Sequence, residues 1–251
     1  MTTNPEIVYA LRLADDALLL GHRLSEWSGK APSLEEDIAL SNLGLDLIGQ
    51  ARLFYQLAAR IEGKGRDEDT FAYFRDEAEF RNVLLVELPR GDFAFTMARQ
   101  LVVAAYLHPA YDAMTRSASA GFAEIAAKAV KEMAYHVRHS AEWVIRLGDG
   151  TDESRRRMVA ALDAIWPFTD ELFESDPVSM TLVASGIAPD PASIKSAWIA
   201  TLEKVLQQAT LQRPDTADRR TGGRSGRHTE HLTELLSEMQ SLARAHPGVT
   251  W

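Results

Sequence analysis

Nearly every stretch of the chain repeats its apolar residues at intervals of three and four, the period of an α-helix. No apolar run combines strict alternation with β-branched residues and a hairpin turn. The pattern predicts an all-α protein. Asn4-Pro5 and Asp190-Pro191 place a capping residue before a proline at the first helical position, and Ser33-Leu34-Glu35-Glu36 forms a capping box after Pro32. Gly63-Lys64-Gly65, Pro89-Arg90-Gly91, Gly148-Asp149-Gly150 and Pro214 end the periodic runs. Helices are expected at about 5–28, 33–61, 69–87, 92–118, 122–147, 152–173, 191–210 and 228–245. Within 33–61 the apolar residues form two rows, Leu34, Ile38, Leu45 and Ile48 in one and Leu40, Leu43, Leu47, Phe54 and Ile61 in the other, which predicts neighbours on two sides. Short connections favour antiparallel neighbours. A single domain over 1–251 is therefore expected, with a four-helix bundle at about 33–147 and the first helix and residues 152–251 packed outside it.

Composition narrows the chemistry. With 251 residues, 46% of them hydrophobic, the chain can build a full core, so disorder and a small stapled scaffold are excluded. The absence of cysteine removes disulfides, Fe–S clusters, thiolate zinc sites and thiol nucleophiles, which leaves carboxylates and seven histidines as metal ligands. The longest apolar run, Leu101 to Leu107, is far short of the ~20 residues a membrane span needs, and the N-terminal residues lack the basic head of a secretory signal. A cytoplasmic protein without a membrane role is expected. A formal charge of 27 − 36 = −9 opposes nucleic acid as a partner.

A helical bundle with carboxylates in its core invites a search for the di-iron arrangement, a Glu from each of two helices and Glu-x-x-His from each of the other two. Helix 33–61 offers Asn42, Asp46 and Gln50 at i,i+4 spacing, and 69–87 offers Glu79 with Asn82 in the place of His. Helix 92–118 has no carboxylate between Asp92 and Asp112, and the next offers Glu132 with Tyr135 at the His position and His136 one residue late. Asp46, Glu79, Asn82, Glu132, Tyr135 and His136 are therefore expected as relics of a metal site, with the carboxylates paired with Arg or Lys and hydrogen-bonded to Asn82, Gln50 or Tyr135. Glu132, His136 and His139 share a face and form the one place for an adventitious ion. The only concentrated basic stretch, 219–227, carries Arg219, Arg220, Arg224 and Arg227 among glycines. It is a candidate for a coenzyme A phosphate or for an interface with another chain, on a solvated loop.

The segments Arg23-Leu24-Ser25-Glu26-Trp27, Leu34 to Asn42, Leu45 to Arg52 and Ala126 to Glu132 resemble the C-subunit family of bacterial 1,2-phenylacetyl-CoA epoxidases. So does the tail, with Thr221-Gly222-Gly223, Gly226, His228-Thr229-Glu230-His231-Leu232, Glu238-Met239-Gln240, Pro247-Gly248 and Trp251. The resemblance implies a ferritin-like fold and a non-catalytic, structural place in a multicomponent oxygenase. In that family the related A subunit holds the di-iron centre and forms a heterodimer with this type of chain, which pairs again to a heterotetramer. A reductase subunit uses FAD, Fe–S and NADPH. No catalytic residue, metal or cofactor is then expected in this chain, and a homodimer is its alternative when isolated. Two further readings compete: an independent metal-dependent oxidoreductase using Asp46, Glu79, Glu132 and His136, and a coenzyme A-binding helical adaptor. The interface is expected on the early long helices and the tail, at Trp27, Arg52, Phe54, Tyr55 and Trp251.

Overall fold

Asn4 accepts the Glu6 amide at 2.9 Å to open α1 (Pro5–Ser25), and Ser33 accepts that of Glu36 at 3.4 Å to open α2 (Leu34–Glu62). The structure, a computed structural model, describes residues 4–249. α2 ends at Gly63, whose φ of 65° suits the left-handed cap. α1 and α2 run antiparallel and approach most closely at two glycines. A Cβ on Gly21 would stand 3.1 Å from the Gly44 carbonyl oxygen, and one on Gly44 3.3 Å from that of Gly21. A second antiparallel pair, α4 (Phe93–Met114) and α5 (Ala120–Gly148), packs against the first where α2 meets α5. α4 has apolar residues on every side, with Thr96, Arg99 and Gln100 buried among them, the signature of a helix with neighbours all around. Two antiparallel pairs around one core form a ferritin-like bundle, and no strand occurs among the described residues.

The fourth helix of this bundle is α1, not the segment 69–87. That segment forms only α3 (Glu68–Tyr73) and two 3₁₀ turns, Glu77–Glu79 and Leu84–Val86. The bundle therefore spans 5–148 instead of 33–147, and the first helix lies inside it. Val83, Leu84, Leu85 and Val86 are consecutive and all buried. The physical reason for the irregular path is that its backbone groups find partners on distant elements, so they can be buried without a helix. The helix hydrogen bonds that are forgone are replaced by side chains. Arg75 donates to the carbonyls of Phe71 and Glu79, Gln240 to Ala72 and Arg75, and Arg244 to Tyr73 and Arg75. His228 reaches the Phe80 carbonyl, Arg224 that of Arg81, Arg23 that of Glu87 and Arg99 that of Leu88.

Beyond the bundle, α6 (Asp152–Ile165) gives way to 3₁₀ turns at Pro167 instead of running to 173. α7 (Pro177–Ala184), opened by Asp176-Pro177, lies against α1 in a region outside the expected helices. α6 and α8 (Pro191–Gln208) cover α4, and Trp198 on α8 donates to the Val102 carbonyl at 2.9 Å. α9 (Glu230–Ala245) closes over α3. Among the described residues no helix is long and apolar enough to cross a membrane.

Candidate functional site

Three bundle helices bring one polar cluster together at the edge of the core, with Gln50, Gln100 and His136 buried and Asp46 and Glu132 half-buried. Asp46 and Gln50 stand one turn apart on α2, Glu132 and His136 one turn apart on α5, and Gln100 projects from α4, the helix without a carboxylate in its middle. Gln100 Nε2 lies 2.9 Å from His136 Nδ1. An amide nitrogen only donates, so Nδ1 accepts and the ring carries its proton on Nε2, which faces Asp46 Oδ2 at 3.3 Å. Burial holds the His136 pKa below its ordinary value, with the Asp46 carboxylate opposing that shift. One turn away Gln50 Nε2 donates to Glu132 Oε2 at 2.8 Å, and Lys128 approaches the other carboxylate oxygen from outside at 3.5 Å. His139 Nε2 meets Glu36 Oε2 at 2.9 Å.

The donor set does not suit a di-iron centre. Such a centre needs several carboxylates to offset at least four positive charges, and the cluster offers Asp46 and Glu132 with two amides. The imidazole lone pair of His136 is already engaged by Gln100. Among the described residues no three His, Asp or Glu side chains are placed to hold a metal ion. The fold thus brings together Asp46, Glu132 and His136 of the expected relic site. Gln100, a buried amide on the helix without a ligand, completes the set. Its only signal in the sequence is a lone amide in an otherwise apolar helix centre.

Three other relic positions are corrected. Glu79 is exposed, and its carboxylate caps the Asp76 amide at 2.8 Å. Asn82 is buried but donates to Glu87 Oε1 at 2.8 Å, well away from the bundle cluster, because 69–87 is a thread and not a ligand helix. Tyr135 is exposed on α5 and stacks on His139 with ring centroids 6.0 Å apart. The expected interface aromatics are also corrected, since Trp27, Phe54 and Tyr55 are buried; Arg52 is exposed, and Trp251 lies outside the described residues.

The basic loop is built in, not solvated throughout. The Gly222 and Gly223 amides donate to Glu171 Oε1 at 2.9 and 2.8 Å, and Leu84 donates to Oε2 at 2.6 Å. A carboxylate of the chain itself therefore occupies the anion-binding geometry that the glycines create. Arg224 turns inward to Asp16 at 2.7 Å and to the Arg81 carbonyl at 2.8 Å. Arg219 pairs with Asp170, Arg220 with Asp218 at 3.0 Å, and Arg227 is exposed.

The buried acids of α1 are not among the residues expected from the sequence. Asp15 accepts from Arg75, from Tyr55 Oη at 2.6 Å and from the Arg81 amide at 2.7 Å, while Asp16 accepts from Arg224 and from the Val83 amide at 2.8 Å. Their signal is two consecutive acids in the apolar stretch from Leu13 to Leu20. Glu87 forms a matching centre for the tail, 2.5 Å from His228 Nδ1 and accepting both the amide and the hydroxyl of Thr229 at 2.8 Å.

The whole chain, residues 1–251, matches the family model described as phenylacetic acid catabolic protein. It is also similar to the C subunit of the 1,2-phenylacetyl-CoA epoxidase of Escherichia coli (strain K12). The two are 48% identical over 248 residues, which cover 99% of this chain and 100% of that relative.

Proposed function

The chain belongs to the phenylacetic acid catabolic protein family, and from that premise we propose that it is a structural, non-catalytic subunit of a 1,2-phenylacetyl-CoA epoxidase in aerobic phenylacetate breakdown. Its role in this reading is to stabilise a homologous catalytic A subunit. The observation that supports it is the polar cluster, whose one buried imidazole is engaged at both nitrogens. Gln100 occupies the imidazole lone pair, Asp46 takes the opposite ring nitrogen, and Gln50 engages Glu132, so amides stand where a metal site would need further carboxylates. A bundle that must keep several like-charged carboxylates ready for metal loses stability without it. A stable, homologous partner that binds only the folded bundle restores the balance by mass action.

The di-iron centre then belongs to the A subunit, and FAD, Fe–S and NADPH belong to the reductase. This chain contributes neither metal nor flavin. The assembly is a cytoplasmic heterodimer that pairs again. The test is to express the A subunit with and without this chain and to measure soluble A subunit, its iron and phenylacetyl-CoA epoxidation. Stable, iron-loaded and active A subunit is expected only when both are present, and undiminished activity of the A subunit alone would remove the role. His136→Gln in this chain is expected to leave epoxidation by the assembled complex unchanged. A complex that assembles with this variant yet turns over no substrate would make the chain catalytic.

A further inference from the structure

The tail crosses the thread over a histidine whose two ring nitrogens both face acceptors. His228 Nδ1 lies 2.5 Å from Glu87 Oε1 and its Nε2 lies 3.2 Å from the Phe80 carbonyl oxygen, and the side chains of His228 and Glu87 are both 0% exposed. A carbonyl oxygen only accepts, so Nε2 carries a proton. The contact at Nδ1 then needs a second proton, held by the ring or by the carboxyl group. Glu87 decides between them. Its Oε1 already accepts the Asn82 side-chain amide, and its Oε2 the amide and the hydroxyl of Thr229, each at 2.8 Å. A carboxylate accepts strongly on both oxygens, whereas a proton on Oε1 would weaken the bond from Asn82, so the proton belongs to the ring.

The neighbouring cations do not take its place. Arg81 Nη1 donates to the Phe80 carbonyl at 2.6 Å, and Arg23 Nη2 donates to the Glu87 and His231 carbonyls at 2.6 and 3.2 Å, so both address backbone oxygens. Arg23 pairs with Glu26, and Arg227 and Glu230, on either side of the site along the tail, are exposed. His228 is thus the cation that meets the Glu87 carboxylate. We infer that His228 is a buried imidazolium whose second proton latches the tail onto the thread, and that loss of this proton frees the start of α9. A neutral ring keeps one lone pair, which has to face either the carboxylate or the carbonyl, and two acceptors in contact repel. Thr229, which opens α9, lets go with the ring because its amide and hydroxyl share the same carboxylate. The latch works in the opposite sense to His136. Burial keeps that ring neutral and weakens the fold as pH falls, whereas His228 loosens the tail as pH rises. The latch rests on hydrogen bonds within this chain and is independent of the epoxidase reading.

Nuclear magnetic resonance of the full chain labelled with nitrogen-15 histidine tests the proton count, with His228→Asn identifying the signal. At about pH 7.5, where a free imidazole is mostly neutral, both ring nitrogens of His228 are expected to carry a proton. His136 in the same spectrum is expected to show a lone pair on Nδ1, where Gln100 donates. Amide exchange tests the latch. Protection relative to the unfolded rate at each pH is expected to fall at 229–236 by about tenfold or more between about pH 7 and 10, with α2 and α5 unchanged. In Glu87→Gln, which offers no carboxylate to an imidazolium, the second proton is expected to be absent at about pH 7.5 and the pH step in protection to vanish. A lone pair on either nitrogen of His228 at that pH, protection at 229–236 that is indifferent to pH, or a fall shared equally by α2 and α5 would each overturn the proposal. So would a Glu87→Gln chain that keeps both the second proton and the step.

Discussion

Asp15, inaccessible in the middle of α1, collects donors from a side chain of the thread, a side chain of α2 and a backbone amide. A carboxylate so placed is stable only with its full set of partners, because an unpaired buried charge costs far more than a made pair returns. Arg75→Met is therefore expected to cost about 3–5 kcal/mol, read as a drop in the urea midpoint, and a loss below 1 kcal/mol would show that Asp15 is not sustained by Arg75. Gly223 answers to sterics in the same way. A Cβ there would stand 2.1 Å from the Asn82 carbonyl oxygen, which is backbone and cannot swing aside. Gly223→Ala should cost about 1–3 kcal/mol, and Gly49→Ala, in open space, should be neutral or slightly stabilising in the same denaturation experiment.

His136 adds a pH dependence at this scale. Its folded pKa lies below 6.5, mainly through burial, and the same holds for His22. As pH falls below 6.5 the unfolded chain binds protons that the folded chain does not, so stability declines until the folded values are reached. His136→Gln is expected to make that decline shallower, with His22 still contributing to it. Urea midpoints measured from pH 7 to 5 with an unchanged slope would contradict it.

Among the elements, the thread at 74–88, which follows α3 and holds only two 3₁₀ turns, depends on the tail that lies across it. Gln240, Arg244, His228 and Arg224 supply hydrogen bonds that a helix would have supplied to itself. Glu171 ties tail to thread by gathering amides from both. With Glu171→Gln the new amide nitrogen cannot accept, so donors on one side lose their partner. Hydrogen exchange at Leu84, Gly222 and Gly223 is expected to quicken, with α2 and α5 amides unaffected, and uniform loss of protection would mean that thread and tail are not a separate unit. The helices themselves were legible from caps and periodicity: α1, α2, α4, α5, α8 and α9 begin within two residues of the positions the sequence predicts. The thread was not legible, because its apolar residues also fit a helical period and the donors that replace its helix hydrogen bonds lie far away in sequence.

Across the whole molecule, the acidic excess divides into surface charge and a buried polar framework. Asp15 joins α1 to α2 and the thread, Asp16 joins α1 to the thread and to Arg224, and Glu87 and Glu171 tie the thread to the tail. The half of the candidate site that was legible, Asp46, Glu132 and His136, lay on two long helices with intact periodicity. Of the half that failed, Glu79 and Asn82 rested on a helix that does not exist and Tyr135 lies on the outer face of α5, and Gln100 could gain its role only from a neighbour far away in sequence. The chain's own pattern determined the all-α class, the long helices and the absence of thiol chemistry, since these depend on residue type and on neighbours a few positions apart. Which four helices make the bundle, which acids are buried, and that Glu171 rather than an outside anion fills the glycine turn were decided by tertiary structure. Those outcomes depend on which distant donors reach each carbonyl and carboxylate, and local spacing carries no record of that.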